Sequence, residues 1–339
     1  MSVLLEMKDI EKSFNDTAVL KKVDFSVKAG EVHALMGENG AGKSTLIKIL
    51  TGIYPKDGGQ IYWNGQPVEI RNRTDASKLG IGVIYQELSL IPTLTVMQNV
   101  MLGKEEGRAG IINTKKMKKK VSELIQKYGF GIRPDAIVET LTIAQRQTIE
   151  ILKALSEDSK LIIMDEPTAS LSTKESDALF QIIEQLRKDG VCIIYISHRL
   201  EEVYRLSDRL TVLRDGVRVA TLEKEEIVPA EVVRLMIGKE LSEETASNNL
   251  RVSEKPVRLK VENLTKKGVF KDVSFEIHEG EIVGFAGLVG AGRTEVMRCI
   301  YGADPCDGGT VIFEGKPHKK KIADSIKKGF GFVPEDRRN

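Results

Sequence analysis

Short apolar runs alternate with amphipathic stretches over the first 220 residues or so. Residues 31–36, Glu-Val-His-Ala-Leu-Met, read as a strand that runs into a glycine-rich turn, and residues 43–50 read as the helix that follows it. Leu161-Ile162-Ile163-Met164 and Val191-Cys192-Ile193-Ile194-Tyr195-Ile196 are continuous apolar runs of strand length, the pattern of parallel strands buried on both faces. Residues 173–188, between those runs, carry a helical period. So do residues 114–128, where Val121, Leu124 and Ile125 fall on one face. Strands alternating with helices predict α/β layering. The lysines at 115, 116 and 118–120 read as a solvated helix face.

The pattern repeats at an offset of 250. Val19, Lys21, Val23 and Phe25 return as Val269, Lys271, Val273 and Phe275. Gly30-Glu31 returns as Gly280-Glu281, Gly40-Ala41-Gly42 as Gly290-Ala291-Gly292, and Asp57-Gly58-Gly59 as Asp307-Gly308-Gly309. Matches at one constant offset, each on a turn or strand edge, predict a duplicated unit. The expected organisation is a first domain over residues 1–222 and a tail and linker over 223–256. The start of a second domain follows over 257–339. The linker opens on Glu223-Lys224-Glu225-Glu226 and closes on a polar stretch poor in core-forming residues. The second copy is shorter than the first, so the sequence is expected to be part of a longer tandem protein.

Composition narrows the class. Of 339 residues, 41% are apolar, which excludes wholesale disorder, and 51 Lys plus Arg against 49 Asp plus Glu give no case for nucleic acid as a main partner. Three scattered cysteines, Cys192, Cys299 and Cys306, form no CxxC pair and match a reducing compartment. The N-terminus lacks the basic and apolar segments of a signal peptide, and no apolar run approaches a membrane span.

The chemistry is carried by Gly37-Glu38-Asn39-Gly40-Ala41-Gly42-Lys43-Ser44, which fits G-x-x-x-x-G-K-[ST] between a strand and a helix. Its glycines let backbone N–H groups curl around phosphate oxygens, and the helix N-terminus favours an anion there. Lys43 is expected to reach the β- and γ-phosphates of ATP, Ser44 to ligate Mg²⁺, and Thr45 to lie beside them. Asp165 and Glu166 end an apolar strand, where unpaired carboxylates would be costly. Asp165 is expected to hold Mg²⁺ directly or through water, and Glu166 to act as general base on the attacking water.

With these two elements in place, the chain resembles the ATP-binding subunits of the ABC transporter family over about its first 220 residues. Leu141-Thr142-Ile143-Ala144-Gln145, 24 residues ahead of Asp165, falls where that family has a signature motif, usually Leu-Ser-Gly-Gly-Gln. Gln86 matches the glutamine of the family's Q-loop, Ala169-Ser170-Leu171-Ser172 its D-loop, and His198 its switch histidine. Phe14 falls where an aromatic stacks on adenine. Thr142 keeps a hydroxyl for a γ-phosphate, Ile143 must point away, and Ala144 fits beside a phosphate.

That signature, together with Arg293-Thr294 at the second P-loop, Val333-Pro334-Glu335-Asp336-Arg337 and residues 235–241, resembles monosaccharide-importing members. The second loop keeps Gly287, Gly290 and Gly292, but Arg293 is no equivalent of a lysine point charge, and weaker nucleotide binding is expected there. The resemblance implies a P-loop NTPase core with an antiparallel β-subdomain and a helical subdomain at about residues 88–155, duplicated in tandem with a shortened second copy. It further implies ATP and Mg²⁺ as ligands, integral membrane permease subunits as partners, and an extracytoplasmic sugar-binding protein acting indirectly. Head-to-tail dimerisation of ABC domains and a place at the cytoplasmic face of the inner membrane also follow from it. An apolar stretch from Glu87 to Leu102 is the expected permease contact.

Rival uses of the same engine remain open. Coiled-coil chromosome ATPases would need sustained heptads, and excision-repair relatives would need zinc-binding cysteines. A tandem translation factor would carry a longer basic linker. An ATP-binding regulatory module would not need Glu166 and His198.

Overall fold

The computed structural model describes residues 2–85, 89–105, 107–108, 111–169, 171–238, 255–287 and 290–333. The chain divides into two compact units, Met1–Glu240 and Leu241–Asn339. In the first, β1 (Val3–Phe14), β2 (Thr17–Lys28), β4 (Gly58–Trp63) and β5 (Gln66–Val68) form an antiparallel sheet in the order β2-β1-β4-β5. A second sheet has the order β12-β11-β3-β10-β9-β6, from β3 (Val32–Met36), β6 (Ile81–Ile84), β9 (Leu161–Asp165), β10 (Cys192–Ile196), β11 (Arg209–Arg214) and β12 (Val217–Glu223). All its pairings are parallel except that of β11 with the edge strand β12.

The side chains of β9 and β10 alternate between two cores, as strand geometry requires. Leu161, Ile163, Cys192, Ile194 and Ile196 face the antiparallel sheet, with α1 (Lys43–Leu50) sharing that core through Leu46, Ile47, Ile49 and Leu50. Ile162, Met164, Ile193 and Tyr195 face α3 (Val96–Met101), α4 (Thr114–Lys127), α5 (Ile143–Leu155) and α6 (Thr173–Lys188). Each fully buried side chain of this kind stabilises by about 1.5–3 kcal/mol, so both faces of β9 and β10 are held firmly. A short helix, α2 (Arg73–Lys78), and a two-residue ribbon of β7 (Gly107–Arg108) with β8 (Ile111–Ile112) complete this part of the chain.

The expected helices 43–50 and 173–188 coincide with α1 and α6, and α4 buries Met117 and Val121 on the expected face. Along the stretch proposed as a permease contact, Val96, Val100 and Met101 are core residues, whereas Ile91 and Leu102 are exposed; Glu87 and Leu88 lie outside the described residues. Residues 223–238, read from their charges as tail and linker, instead fold onto the first unit. A 3₁₀ turn at Lys224–Glu226 leads into α8 (Pro229–Ile237), and Ile227 and Val232 join Val203 of α7 (Leu200–Leu206) with Leu210 and Val212 of β11 in a third core. The apolar positions 227, 232, 235 and 236 decide the fold there, and the four charges at 223–226 only cap its turn.

The second unit repeats the antiparallel sheet as β13 (Val257–Lys266), β14 (Phe270–His278), β15 (Gly308–Phe313) and β16 (Lys316–Pro317), with α9 (Arg293–Tyr301) and α10 (Ile322–Lys327). Its small core is Val261, Leu264, Val296, Cys299, Ile300 and Val311. Residues 282–286, the counterpart of β3, pair with no strand among the described residues, and Ile282 is 98% exposed. In the first unit β3 is held by β10 and β11, and a parallel strand has no hydrogen-bond partners except its neighbours.

The repeated Asp-Gly-Gly turn has a steric cause. Gly59 has φ +84°, and a Cβ there would lie 2.4 Å from the carbonyl oxygens of Lys8 and Asp9. Gly309 has φ +86° and would meet Leu264 Cα at 2.4 Å. The aspartates tie the same turns down: Asp57 accepts from the Ser13 N–H at 2.7 Å, and Asp307 from the Lys267 N–H at 2.6 Å. Gly59→Ala is therefore expected to destabilise the first unit by about 2–3 kcal/mol, through strain and clash together. Gly65→Ala, with open space around it, should cost about 1 kcal/mol from its left-handed backbone alone. Chemical denaturation of both variants checks this; equal midpoints would show that β1 yields freely to the added methyl.

Candidate functional site

Three neighbouring parallel strands deliver the candidate residues to one edge of the sheet. β3 ends at Met36 and gives way to the P-loop, β9 ends at Asp165, and β10 ends at Ile196, two residues before His198. The register pairs Ile196 with both Leu35 and Asp165, so the three loops leave the sheet side by side. The carboxyl ends of parallel strands are where α/β sheets bind ligands. β6 ends at Ile84 on the same edge, two residues before Gln86, which lies outside the described residues.

The P-loop is shaped by backbone that only glycine adopts easily. Gly37 has φ +152°, and an added Cβ would strike the Leu213 carbonyl oxygen at 2.2 Å. Gly42 has φ +101° and caps α1. Gly40, with φ +88°, has open space before it. Glu38, Asn39, Gly40 and Ser44 are exposed, Ala41 is buried and Thr45 is half-buried, so the loop opens outward around the N-terminus of α1. Lys43 Nζ donates to the carbonyl oxygens of Gly37 at 2.7 Å and Glu38 at 3.0 Å. Burial pushes its pKa down, against the opposing pull of Glu166 and Asp165.

The acids follow at once. Burial pushes the Asp165 carboxyl up, and the neighbouring Glu166 adds to that shift while Lys43 and Lys48 oppose it. Glu166 turns out of the strand at φ +47°, its N–H donating to the Ile196 carbonyl at 2.9 Å. Its Oε1 lies 3.1 Å from His198 Nδ1. The structure thus brings together Lys43, Asp165, Glu166 and His198. Lys48, one turn beyond Ser44 on α1, was missed from the sequence; its i, i+4 spacing from the loop serine was the available signal. Phe14 is exposed at the end of β1, edge-on to Tyr54 at 5.1 Å and with Lys12 Nζ 5.3 Å from its ring centre.

The signature residues sit elsewhere, at the head of α5. Thr142 Oγ1 accepts the Gln145 N–H at 3.3 Å and Gln145 Oε1 accepts the Thr142 N–H at 3.0 Å, a reciprocal cap. The Thr142 hydroxyl is exposed and retains its own proton to donate. Ile143 is half exposed, Ala144 half-buried, and Leu141 packs against the helical core. Ser172 caps α6 through the same kind of pairing with Glu175. In the second unit Gly290 and Gly292 have φ of +84° and +86°, Arg293 opens α9 exposed, and Thr294 follows half-buried. A Cβ on Gly287 would come 3.1 Å from Ala291 Cβ.

The profile of the family described as ABC transporter matches residues 20–169 and 270–339. The chain is 45% identical, over 99% of its length, to the ribose import ATP-binding protein RbsA of Geobacillus kaustophilus, covering 68% of that protein. It is 47% identical, over 99% of its length, to ribose import ATP-binding protein RbsA 2 of Streptomyces coelicolor, covering 64% of it.

The chain belongs to the ABC transporter family.

Among solved structures, the ADP conformation of MJ1267, an ATP-binding cassette of an ABC transporter, aligns at TM-score 0.63 and 27% identity, over 70% of this chain and 100% of that one. The P-loop and the paired acids both lie within the first stretch that the family profile matches. No helix among the described residues is long and apolar enough to cross a membrane.

The raised Asp165 carboxyl has a consequence for the nucleotide-free ABC ATPase. Its folded state holds the proton more tightly than its unfolded state, so the associated stability is complete below the ordinary carboxylate range. It is lost as pH rises through the folded-state value. Asp165→Asn should therefore melt at a higher temperature than the parent at pH 7, with the gap closing near pH 4. Thermal melts across that range check it; a lower melting temperature at pH 7 would show that Asp165 is stabilised by its ionised contacts.

Proposed function

We propose that this chain powers the import of a simple sugar of the ribose class by hydrolysing ATP beneath a membrane permease. The observation that carries the reading is the meeting of Lys43, Asp165, Glu166 and His198 at one strand edge, in a chain 43–47% identical to ribose import ATP-binding proteins. Those names favour import over translation-factor or regulatory uses. The domain division proposed is residues 1–222, a connecting stretch at 223–256 whose first part, 223–238, packs on the first unit, and 257–339.

The site fits a magnesium nucleotide. The turn from Gly37 to Gly42 runs into the N-terminus of α1, which suits phosphate oxygens. Two adjacent carboxylates, one of them strained by burial, face a single desolvated ammonium and leave a demand for positive charge. Ser44, Asp165 and Gln86 would supply the oxygen ligands; among the described residues no cluster of three His, Cys, Asp or Glu competes with them. Bound Mg²⁺ would neutralise phosphate charge. Lys43 holds the β- and γ-phosphates, Thr45 and the loop amides surround them, and Phe14 faces the adenine.

Glu166 takes a proton from the attacking water as its oxygen bonds to the γ-phosphorus and the bond to ADP breaks. His198 keeps Glu166 oriented and faces the γ-phosphate. Leu141, Thr142, Ile143, Ala144 and Gln145 act on the nucleotide of an opposing ABC domain, head to tail, with Thr142 donating to its γ-phosphate. The second P-loop, with Arg293 in place of lysine, binds nucleotide more weakly. The remaining partners are permease subunits at the cytoplasmic face of the inner membrane and, indirectly, an extracytoplasmic sugar-binding protein.

Lys43→Ala should weaken ATP binding by about 1.5–3 kcal/mol. Glu166→Gln should bind ATP normally and lose turnover by about 10²–10⁴-fold. Nucleotide titration and phosphate release on both variants check the assignment, and undiminished turnover in Glu166→Gln would remove it from the base role. Specific activity of the chain should rise with its concentration, since Thr142 serves a second molecule. Co-purification with a permease in detergent, and stimulation by a sugar-loaded binding protein, test the transport role.

A further inference from the structure

We propose that Glu202 is a positioning residue for hydrolysis: one buried carboxylate that ties the loop behind Glu166 to the loop carrying His198. This rests on the roles proposed for Glu166 and His198. Glu202 lies on α7 and is 7% exposed. Burying a carboxylate is costly unless its oxygens are filled by donors. Here they are filled from both sides of the site.

From the first loop, Thr168, two residues past Glu166, has its Oγ1 2.8 Å from each carboxylate oxygen. On the other side, the Tyr195 hydroxyl donates at 2.8 Å from within β10, and Ser197 Oγ donates at 3.0 Å from the residue before His198. Arg199 Nη1 donates at 3.3 Å, and its backbone N–H donates to Ser197 Oγ at 3.0 Å. A carboxylate has about four lone-pair directions, and these donors use them. Burial and the adjacent Glu202 push the Tyr195 phenol up, so that hydroxyl stays a donor.

The arrangement explains why an acid stands there. Three hydroxyls approach from three directions, and only an acceptor without hydrogens can serve all of them. An amide offers one oxygen and turns an NH₂ toward the other donors. An apolar residue would fill the space yet let the two loops drift independently. The loops already meet once through the Glu166 N–H and the Ile196 carbonyl, and Glu202 supplies a second tether beneath the first. Two tethers fix an angle where one fixes only a distance. The result is that the Glu166 carboxylate and the His198 ring remain 3.1 Å apart without either being buried.

The test is kinetic, in the whole chain. Glu202→Gln should lower kcat about 10- to 100-fold, the scale of a displaced catalytic group, while KM and nucleotide affinity stay within about twofold. Thr168→Val should do the same and Thr168→Ser should restore the rate, since only the hydroxyl is needed. In a His198→Ala background, Glu202→Gln should cost much less, because there is no longer a pair to align. A kcat that follows only the folded fraction, or an equal loss in both backgrounds, would overturn the tether. Glu166→Gln run alongside separates the failures. If it collapses while Glu202→Gln stays active, the tether is wrong; if it retains turnover, the base assignment fails and the tether has nothing to align.

Discussion

Strand β10 is hydrogen-bonded on one side to β3 and on the other to β9, with Ile196 opposite Leu35 and Asp165. That single register sets the geometry of the strand edge beyond which Lys43, Glu166 and His198 lie. A slip of one residue would exchange the two cores that Ile193 and Ile194 enter, since alternate side chains face opposite ways. It would also carry His198 away from Glu166. The apolar cost of the slip protects the polar geometry, so the chemistry is held by residues that never touch it.

Charge is arranged against that rigid edge without being balanced by it. Lys43 is partly desolvated and held by carbonyl oxygens, and Asp165 is burdened by burial and by Glu166. Burial works against the charged form of both groups. Under the function proposed above, a magnesium nucleotide would bring phosphate to the one and a cation to the other, so that binding would relieve the strain.

Much of this was legible in the sequence, because the P-loop and the acids are local patterns with fixed spacing. Helices α1 and α6 were readable to the residue, since apolar period and cap coincide at both. The cluster around Glu202 was not. Thr168, Tyr195, Ser197 and Glu202 have no common period, and each alone looks like an ordinary loop, strand or helix residue. Their meeting depends on β9 and β10 being neighbours, which is a fact of sheet order. α8 was obscured for a different reason: the charges at 223–226 drew attention from the apolar residues behind them. The exposure of Ile282 was equally hidden, because a strand-like run says nothing about who will pair with it.

The reciprocal cap at Thr142 restricts which sequences this lineage can explore. Its oxygen is occupied in starting α5, while its exposed hydroxyl keeps a proton to donate. Serine can meet both demands, because it offers an acceptor and a donor on one small side chain. Aspartate and asparagine start helices equally well, but neither carries a hydroxyl proton. A side chain that must start the helix and also keep a hydroxyl proton is therefore serine or threonine, whereas Ile143, half exposed, carries no such double demand.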